Sequence, residues 1–331
     1  MKYRLASAVL VLAVLFAACS QETDKQGASE KDTLKKEKKS ISILCSFLPM
    51  WVFTKNVVGE RKGVELHVLI PGDQGPHDYQ LSPADMKKIN AADLFVANGH
   101  QLEEFLTDAA REARPGLRIL KAAEVAEPIY IDDMGNTMSL EAEPGSGHHD
   151  HHRHGSHDRA VNPHVFVSPY HAAKMVRKIG EELGKADPSG KEIYHDNAEA
   201  YAAKLESLAR KFKEVAEKSS NTKIVTFHNA FDYLGRAAGL EIVGSIEVVP
   251  GQQPSAGELS ALARKIRETG AVAVFAEPQY SPRTAKVLAQ EAGVKMDFLD
   301  PAATGEMRPD YYEEVMLKNI ATLDRVLPED E

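Results

Sequence analysis

Thirteen histidines stand in this 331-residue chain, and they fall into two groups that imply different chemistry. Most of the first group stand singly beside the ends of apolar runs. His77 closes the turn Pro71-Gly72-Asp73-Gln74-Gly75-Pro76-His77, His164 lies in Asn162-Pro163-His164, and His228 follows directly on the run Lys223–Phe227. Two carboxylates occupy similar places: Glu277-Pro278 after Val272–Ala276, and Asp300-Pro301 after Lys295–Leu299. Three imidazoles and one carboxylate form a hard-to-borderline N/O donor set suited to Zn(II), with Mn(II) or Fe(II) as alternatives. If His77, His164, His228 and Asp300 all bind, a tetrahedral centre is filled by protein. No position is then left for a reactive water, which points to holding an ion rather than to catalysis. Glu277 is open to three roles: a ligand, a capping group, or, as we favour, an acceptor for the second N–H of a ligand histidine. A secreted metallohydrolase is the competing class. It needs an open coordination position and a general base, for which Glu277 is the one obvious candidate, and the chain has no HExxH helix.

The second group is a cluster. His148, His149, His151, His152, His154 and His157 alternate with Asp150, Arg153 and Asp158 in a segment too polar to pack. Flexible imidazoles bind borderline metals, but ordering the loop costs entropy, so we expect a weaker auxiliary site that collects or senses zinc near His164. Of the remaining histidines, His100 is expected to meet solvent, and His67, His171 and His195 to be structural. Two cysteines, Cys19 and Cys45, make neither a disulfide scaffold nor a four-thiolate zinc knuckle. Cys45 is expected to be a small buried hydrophobe. With 49 acidic against 40 basic residues, the chain lacks the basic field of a nucleic-acid binder.

Elements that could position these groups follow from the pattern of apolar runs. Strands are expected at Ile41–Phe47, Val64–Ile70, Leu94–Ala97 and Arg118–Leu120, then at Lys223–Phe227, Glu241–Ser245, Val272–Ala276 and Lys295–Leu299. Helical patterns alternate with them, so the fold class is α/β: two lobes, each a mainly parallel sheet flanked by helices. Ser82-Pro83, Ser168-Pro169, Asp187-Pro188 and Ser281-Pro282 each combine an N-cap acceptor with a residue preset for the first helical turn. One helix is expected from about Pro169 to Leu183. A second, from about Pro188 to Glu217, is long enough to bridge two lobes as a rigid spine. Ligands of open α/β sheets sit beyond the carboxyl ends of the strands, which is where the single histidines fall.

The N-terminus reads as a secretory signal, with Lys2 and Arg4 before the apolar stretch Leu5–Ala18, too short to span a membrane. Leu15-Phe16-Ala17-Ala18-Cys19 resembles a lipoprotein cleavage box, which implies lipid attachment at Cys19. The chain then divides into a signal peptide 1–18, a lipidated flexible tether 19–39, a first lobe 40–186 with the His-rich loop 134–160, a linking helix 187–219 and a second lobe 220–331.

The segments PGDQGPHDYQLSPADMKKINAADLFVANGHQLE, NPHVFVSPYHAAKMV, TFHNAFDYLGRAAGL, VFAEPQYSPRTAKVLAQEAGV and FLDPAA occur in this order. Together they resemble the zinc/manganese solute-binding lipoproteins of bacterial metal ABC transporters, from Ser40 to the end of the chain. The resemblance implies a metal held in a cleft between two lobes joined by a long helix, with ligands at His77, His164, His228 and Asp300. A histidine at the third position resembles the zinc-binding members, where manganese binders usually have glutamate. It implies a monomer anchored outside the cytoplasmic membrane, periplasmic or at the cell surface, that captures Zn(II) and hands it to a membrane permease. A metal-containing surface adhesin is a further alternative. Two departures stand out: Phe166-Val167-Ser168-Pro169 replaces the usual aromatic, Leu and Asp before Pro, and Gln253-Pro254-Ser255 replaces Glu-Pro-Ser. Ser168 is still expected to cap its helix.

Overall fold

The computed structural model describes residues 40–77, 79–131, 160–247 and 252–329. Cys19, the signal and tether segments, and His148, His149, His151, His152, His154 and His157 lie outside the described residues.

The first element of the described residues is β1 (Ile41–Cys45), whose side chains are nearly all buried on both faces, as a central strand of a parallel sheet requires. Helix α1 (Leu48–Val58) follows with Pro49 in its first turn, then β2 (Val64–Val68), α2 (Pro83–Ala91), β3 (Leu94–Ala97), α3 (Glu104–Ala113) and β4 (Arg118–Lys121). All pairings among these four strands are parallel, in the order β2-β1-β3-β4. A short antiparallel pair, β5 (Tyr130–Ile131) with β6 (Ala160–Val161), leads to α4 (Pro169–Ala186) and α5 (Lys191–Glu217). The second sheet then forms from β7 (Lys223–Thr226), α6 (Asp232–Ala238), β8 (Glu241–Ser245), α7 (Ala256–Thr269), β9 (Ala273–Ala276), α8 (Arg283–Ala292) and β10 (Lys295–Phe298), and α9 (Tyr311–Val326) ends the fold. Its order, β10-β9-β7-β8, is also parallel throughout and repeats the topology of the first sheet.

Strands β1 and β2 stop two residues short of their expected ends and β7 and β10 one residue short, because the last residues turn away to start a helix or a loop. Phe47 thus caps α1, and Phe227 stacks on Tyr280 at 4.9 Å. Of the expected side-chain caps, Ser82 forms a reciprocal capping box with Asp85, and Ser255 forms a second such box with Glu258 that carried no expectation. Ser168 and Asp187 do not cap their helices. Ser168 Oγ instead meets His171 Nδ1 at 3.0 Å. The Asp187 carboxylate accepts from Arg61 and Tyr194 and so joins the start of α5 to the first sheet. A single 3₁₀ turn, Pro188–Gly190, precedes α5.

The 27 residues of α5 span about 40 Å at 1.5 Å per residue. It packs against α1 and α4 on the side of the first sheet, and against α6 and α9 on the side of the second. One hydrophobic core runs from Ile41 to Leu327 through these helices, while a smaller one lies under the outer face of the second sheet. Polar bonds reinforce the junction. Tyr312 Oη donates to Phe166 O at 2.7 Å, and Tyr233 Oη donates to Asn162 O while accepting from Ile129 N, both at 3.0 Å. Among the described residues no helix is long and apolar enough to cross a membrane.

Candidate metal centre

Each candidate histidine arrives from the carboxyl side of a sheet or from a turn beside it. His77 ends the glycine- and proline-rich loop after β2 and is exposed. That loop is pinned at Gly72, whose carbonyl accepts from Gly305 N at 2.6 Å; a Cβ at Gly72 would overlap Gly305 O. His164 opens the 3₁₀ turn His164–Val167 before α4, and His228 follows the end of β7 after one intervening residue; both are buried.

The three rings converge. His77 Nε2 and His164 Nε2 are 3.3 Å apart, as are His164 Nε2 and His228 Nε2, and one ligand atom from each of the three residues lies within 4.8 Å of the others. The edge of a tetrahedron is about 1.6 times its centre-to-corner distance, so zinc–nitrogen bonds of about 2.0–2.1 Å call for neighbouring nitrogens about 3.3–3.4 Å apart. Right-angled coordination at the same bond length would bring them to about 2.9 Å. The two edges that meet at His164 match the tetrahedral case.

Hydrogen bonds behind two of the rings decide where their protons sit. Asn162 Oδ1 accepts from the backbone N–H of His164 and lies 3.0 Å from its Nδ1. Glu277 Oε1 lies 2.5 Å from His228 Nδ1. Each Nδ1 faces an acceptor and carries a proton, so each Nε2 presents a lone pair to the common point whenever its ring is neutral. Burial, with His228 and His77 as neighbours, holds the His164 imidazole well below its ordinary pKa, so it stays neutral. Burial acts downward on His228 too, but Glu277, with smaller contributions from Glu247 and Asp232, outweighs it and raises the pKa. The fully buried Glu277 is held on its other oxygen by Gln279 Nε2 at 2.6 Å.

Asp300 does not join the cluster. Its Oδ1 accepts from Ala302 N at 2.8 Å, and Asn319 clamps its backbone N–H and carbonyl. Burial raises the Asp300 carboxyl above the usual range, with Glu277 adding to that and the Ala302 N–H opposing it. Its neighbours Pro301, Ala303 and Thr304 line the same cavity as the three histidines, about 500 Å³ in volume, together with Asp73 and Gln279. The turn at Ala302 takes a left-handed φ of 59°, which directs the Ala302 N–H at the carboxylate.

Two residues of the site carry no sequence expectation. Asn162 stands two positions before His164, the spacing at which an Asx side chain bonds local backbone, and that was a usable signal. Gln279 had none, since its role depends on Glu277 being buried. His100 is half-buried in a left-handed conformation rather than exposed, and its Nε2 has no partner among the described residues. His67 and His195 are exposed, so neither does structural work in the core. Cys45 is fully buried, and burial pushes its thiol up to about 12.

Known proteins share both sequence and fold. The chain is 32% identical over 297 residues to the high-affinity zinc uptake system protein ZnuA of Bacillus subtilis (strain 168), covering 89% of this chain and 88% of that protein. It is 30% identical over 288 residues to the zinc-binding protein AdcA of Streptococcus pyogenes serotype M3, covering 86% of this chain but only 55% of that longer relative. The solute-binding protein FpvC of Pseudomonas aeruginosa, solved in complex with Mn²⁺, superposes with a TM-score of 0.73 at 26% identity, over 87% of this chain and 98% of that one. Residues 43–326 match the family described as zinc-uptake complex component A, periplasmic. With the fold, the histidine cluster and this match together, the chain belongs to the ZnuA family of periplasmic solute-binding proteins.

Proposed function

We propose that the chain captures a single Zn(II) ion outside the cytoplasmic membrane and delivers it to the permease of an ABC importer. The observation that carries this reading is the meeting of His164 and His228. With both Nδ1 protons committed to Asn162 and Glu277, two lone pairs face each other at 3.3 Å, an arrangement that a cation between them relieves. Three imidazole donors suit Zn(II), whereas Mn(II) calls for a shell richer in oxygen. The similarity to proteins named for zinc uptake supports the same choice.

His77, His164 and His228 are the three nitrogen ligands in this reading. Asp300 is the fourth, and its carboxylate must leave the Ala302 N–H and turn into the cavity to complete the shell. With that shell filled by protein, the ion is cargo and no hydrolytic water is activated, so the chain is not an enzyme. Residues 40–186 and 220–331 form the two lobes, with 187–219 linking them. Lipidation at Cys19 holds a monomer to the membrane through the tether 19–39, and the His-rich loop adds weak zinc sites.

The test is a competition titration of metal-free protein, purified without a histidine tag, against a chromophoric zinc chelator. One tight equivalent is expected, lost in His164→Ala and weakened in Asp300→Ala. Tight binding that survives His164→Ala would overturn the assignment.

A further inference from the structure

The His164–His228 edge raises a problem that zinc alone does not solve. With both rings neutral and no metal bound, two imidazoles 3.3 Å apart could satisfy each other if either ring moved its proton to Nε2 and donated across the gap. That hydrogen bond would close the site against an incoming ion. Glu277 blocks the shift on His228, because a carboxylate 2.5 Å from Nδ1 keeps the proton there. No carboxylate faces Nδ1 of His164; its partner is the neutral amide of Asn162.

Resting on the zinc reading above, we propose that Asn162 is a positioning residue that withholds the His164 proton from the metal cluster. Its amide cannot be reversed without loss. Oδ1 accepts from His164 N and faces His164 Nδ1, both at 3.0 Å. Nδ2 donates to Asn229 O at 2.7 Å and to Asp232 Oδ2 at 2.8 Å. A flip would set donor against donor at His164 N, and acceptor against two acceptors at Asn229 and Asp232. The side chain is also fully buried, and the backbone carbonyl of the same residue is held by Tyr233 Oη at 3.0 Å, which fixes the turn that carries the amide. The second lobe thus orients an amide that fixes the tautomer of a first-lobe histidine. Asn229 is the residue after His228, so one amide ties the turns that carry both ligands.

The consequence is that the metal-free site keeps the Nε2 lone pair of His164 exposed to the cavity. Removing the amide frees the proton to move to Nε2, and zinc must then break an imidazole–imidazole bond before it can bind. Outer partners of metal-binding histidines typically contribute 10–100-fold to affinity, and Asn162→Ala should lose about that much.

The first experiment needs no variant. Nitrogen-15 imidazole NMR on the metal-free wild-type protein reports the protonation of each ring nitrogen, and His164 should show a protonated Nδ1 and an unprotonated Nε2. A His164 protonated on Nε2 in a wild-type protein that still binds one tight zinc would overturn the inference and leave the zinc reading standing. Failure of the wild type to bind zinc at all would instead sink the zinc reading. In Asn162→Ala the His164 proton should appear on Nε2, with zinc affinity down about 10–100-fold by chelator competition. Wild-type affinity with an unchanged tautomer in that variant would also overturn the inference.

Discussion

Replacing Glu277 by glutamine keeps the shape of a buried side chain and removes its charge, and the structure sets the size of the effect. Glu277 Oε1 lies 2.5 Å from His228 Nδ1, and the imidazole ring plus one coordination bond place the carboxylate about 6 Å from a zinc ion on Nε2. His228 has a raised pKa, so near and below that pKa zinc displaces a proton, and the net gain facing Glu277 is one unit of positive charge. One unit pair at about 6 Å with an effective dielectric of about 20 is worth about 3 kcal/mol, or about a hundredfold in affinity. Above the raised pKa no proton leaves, the full double charge counts, and the deficit widens. The assay is calorimetric zinc titration in two buffers of different ionisation enthalpy, combined with chelator competition. Wild-type protein should release close to one proton in the lower regime. Glu277→Gln should bind about a hundredfold more weakly and release a smaller fraction of a proton at the same pH. Affinity within threefold of wild type with an unchanged proton count would refute the reasoning, because neither the charge nor the coupling to His228 would then matter.

Four further outcomes follow. The stabilisation that zinc adds should grow from pH 5 to 8, because binding needs neutral imidazoles; in the metal-free protein the raised His228 pKa contributes stability below about 6.5 that is lost as pH rises through the folded value, while the depressed His164 acts in the opposite sense, and a zinc-induced melting shift that stays constant from pH 5 to 8 would contradict this. Tyr233→Phe leaves Ile129 N without its acceptor and Asn162 O without a donor, and should cost about 1–3 kcal/mol in denaturant unfolding. Gly72→Ala forces the His77 loop away from Gly305 and should weaken zinc binding severalfold, measured by competition, with overpacking costing about 1–3 kcal/mol of stability. Deleting residues 147–158 should leave one tight zinc equivalent and remove the weak ones in a calorimetric titration; loss of the tight site would refute the separation of loop from cleft.

The sequence carried the strands well because parallel central strands are buried on both faces and read as unbroken apolar runs, as in Leu94–Ala97. It also carried the places of His77, His164 and His228, since each follows or precedes an element whose end the apolar pattern marks, but not those of His67, His100 and His195. What it could not carry was the direction of a side chain at the end of an element. Ser168 and Asp187 have the composition of helix caps, but His171 in the first turn of α4 claims the Ser168 hydroxyl and the distant Arg61 claims the Asp187 carboxylate. Asp300 sits next to the cavity, as its place after β10 implies, yet the backbone turn at Ala302 takes its carboxylate. Asn162 and Gln279 depend on which groups are buried opposite them, and no local pattern records that.

The most direct measurement is anomalous diffraction at the zinc edge from crystals of the loaded protein. The account predicts one strong peak about 2.0–2.1 Å from Nε2 of His77, His164 and His228, with a carboxylate oxygen of Asp300 as the fourth neighbour. A zinc peak remote from this cluster, or one touching fewer than three of those imidazoles, would contradict it.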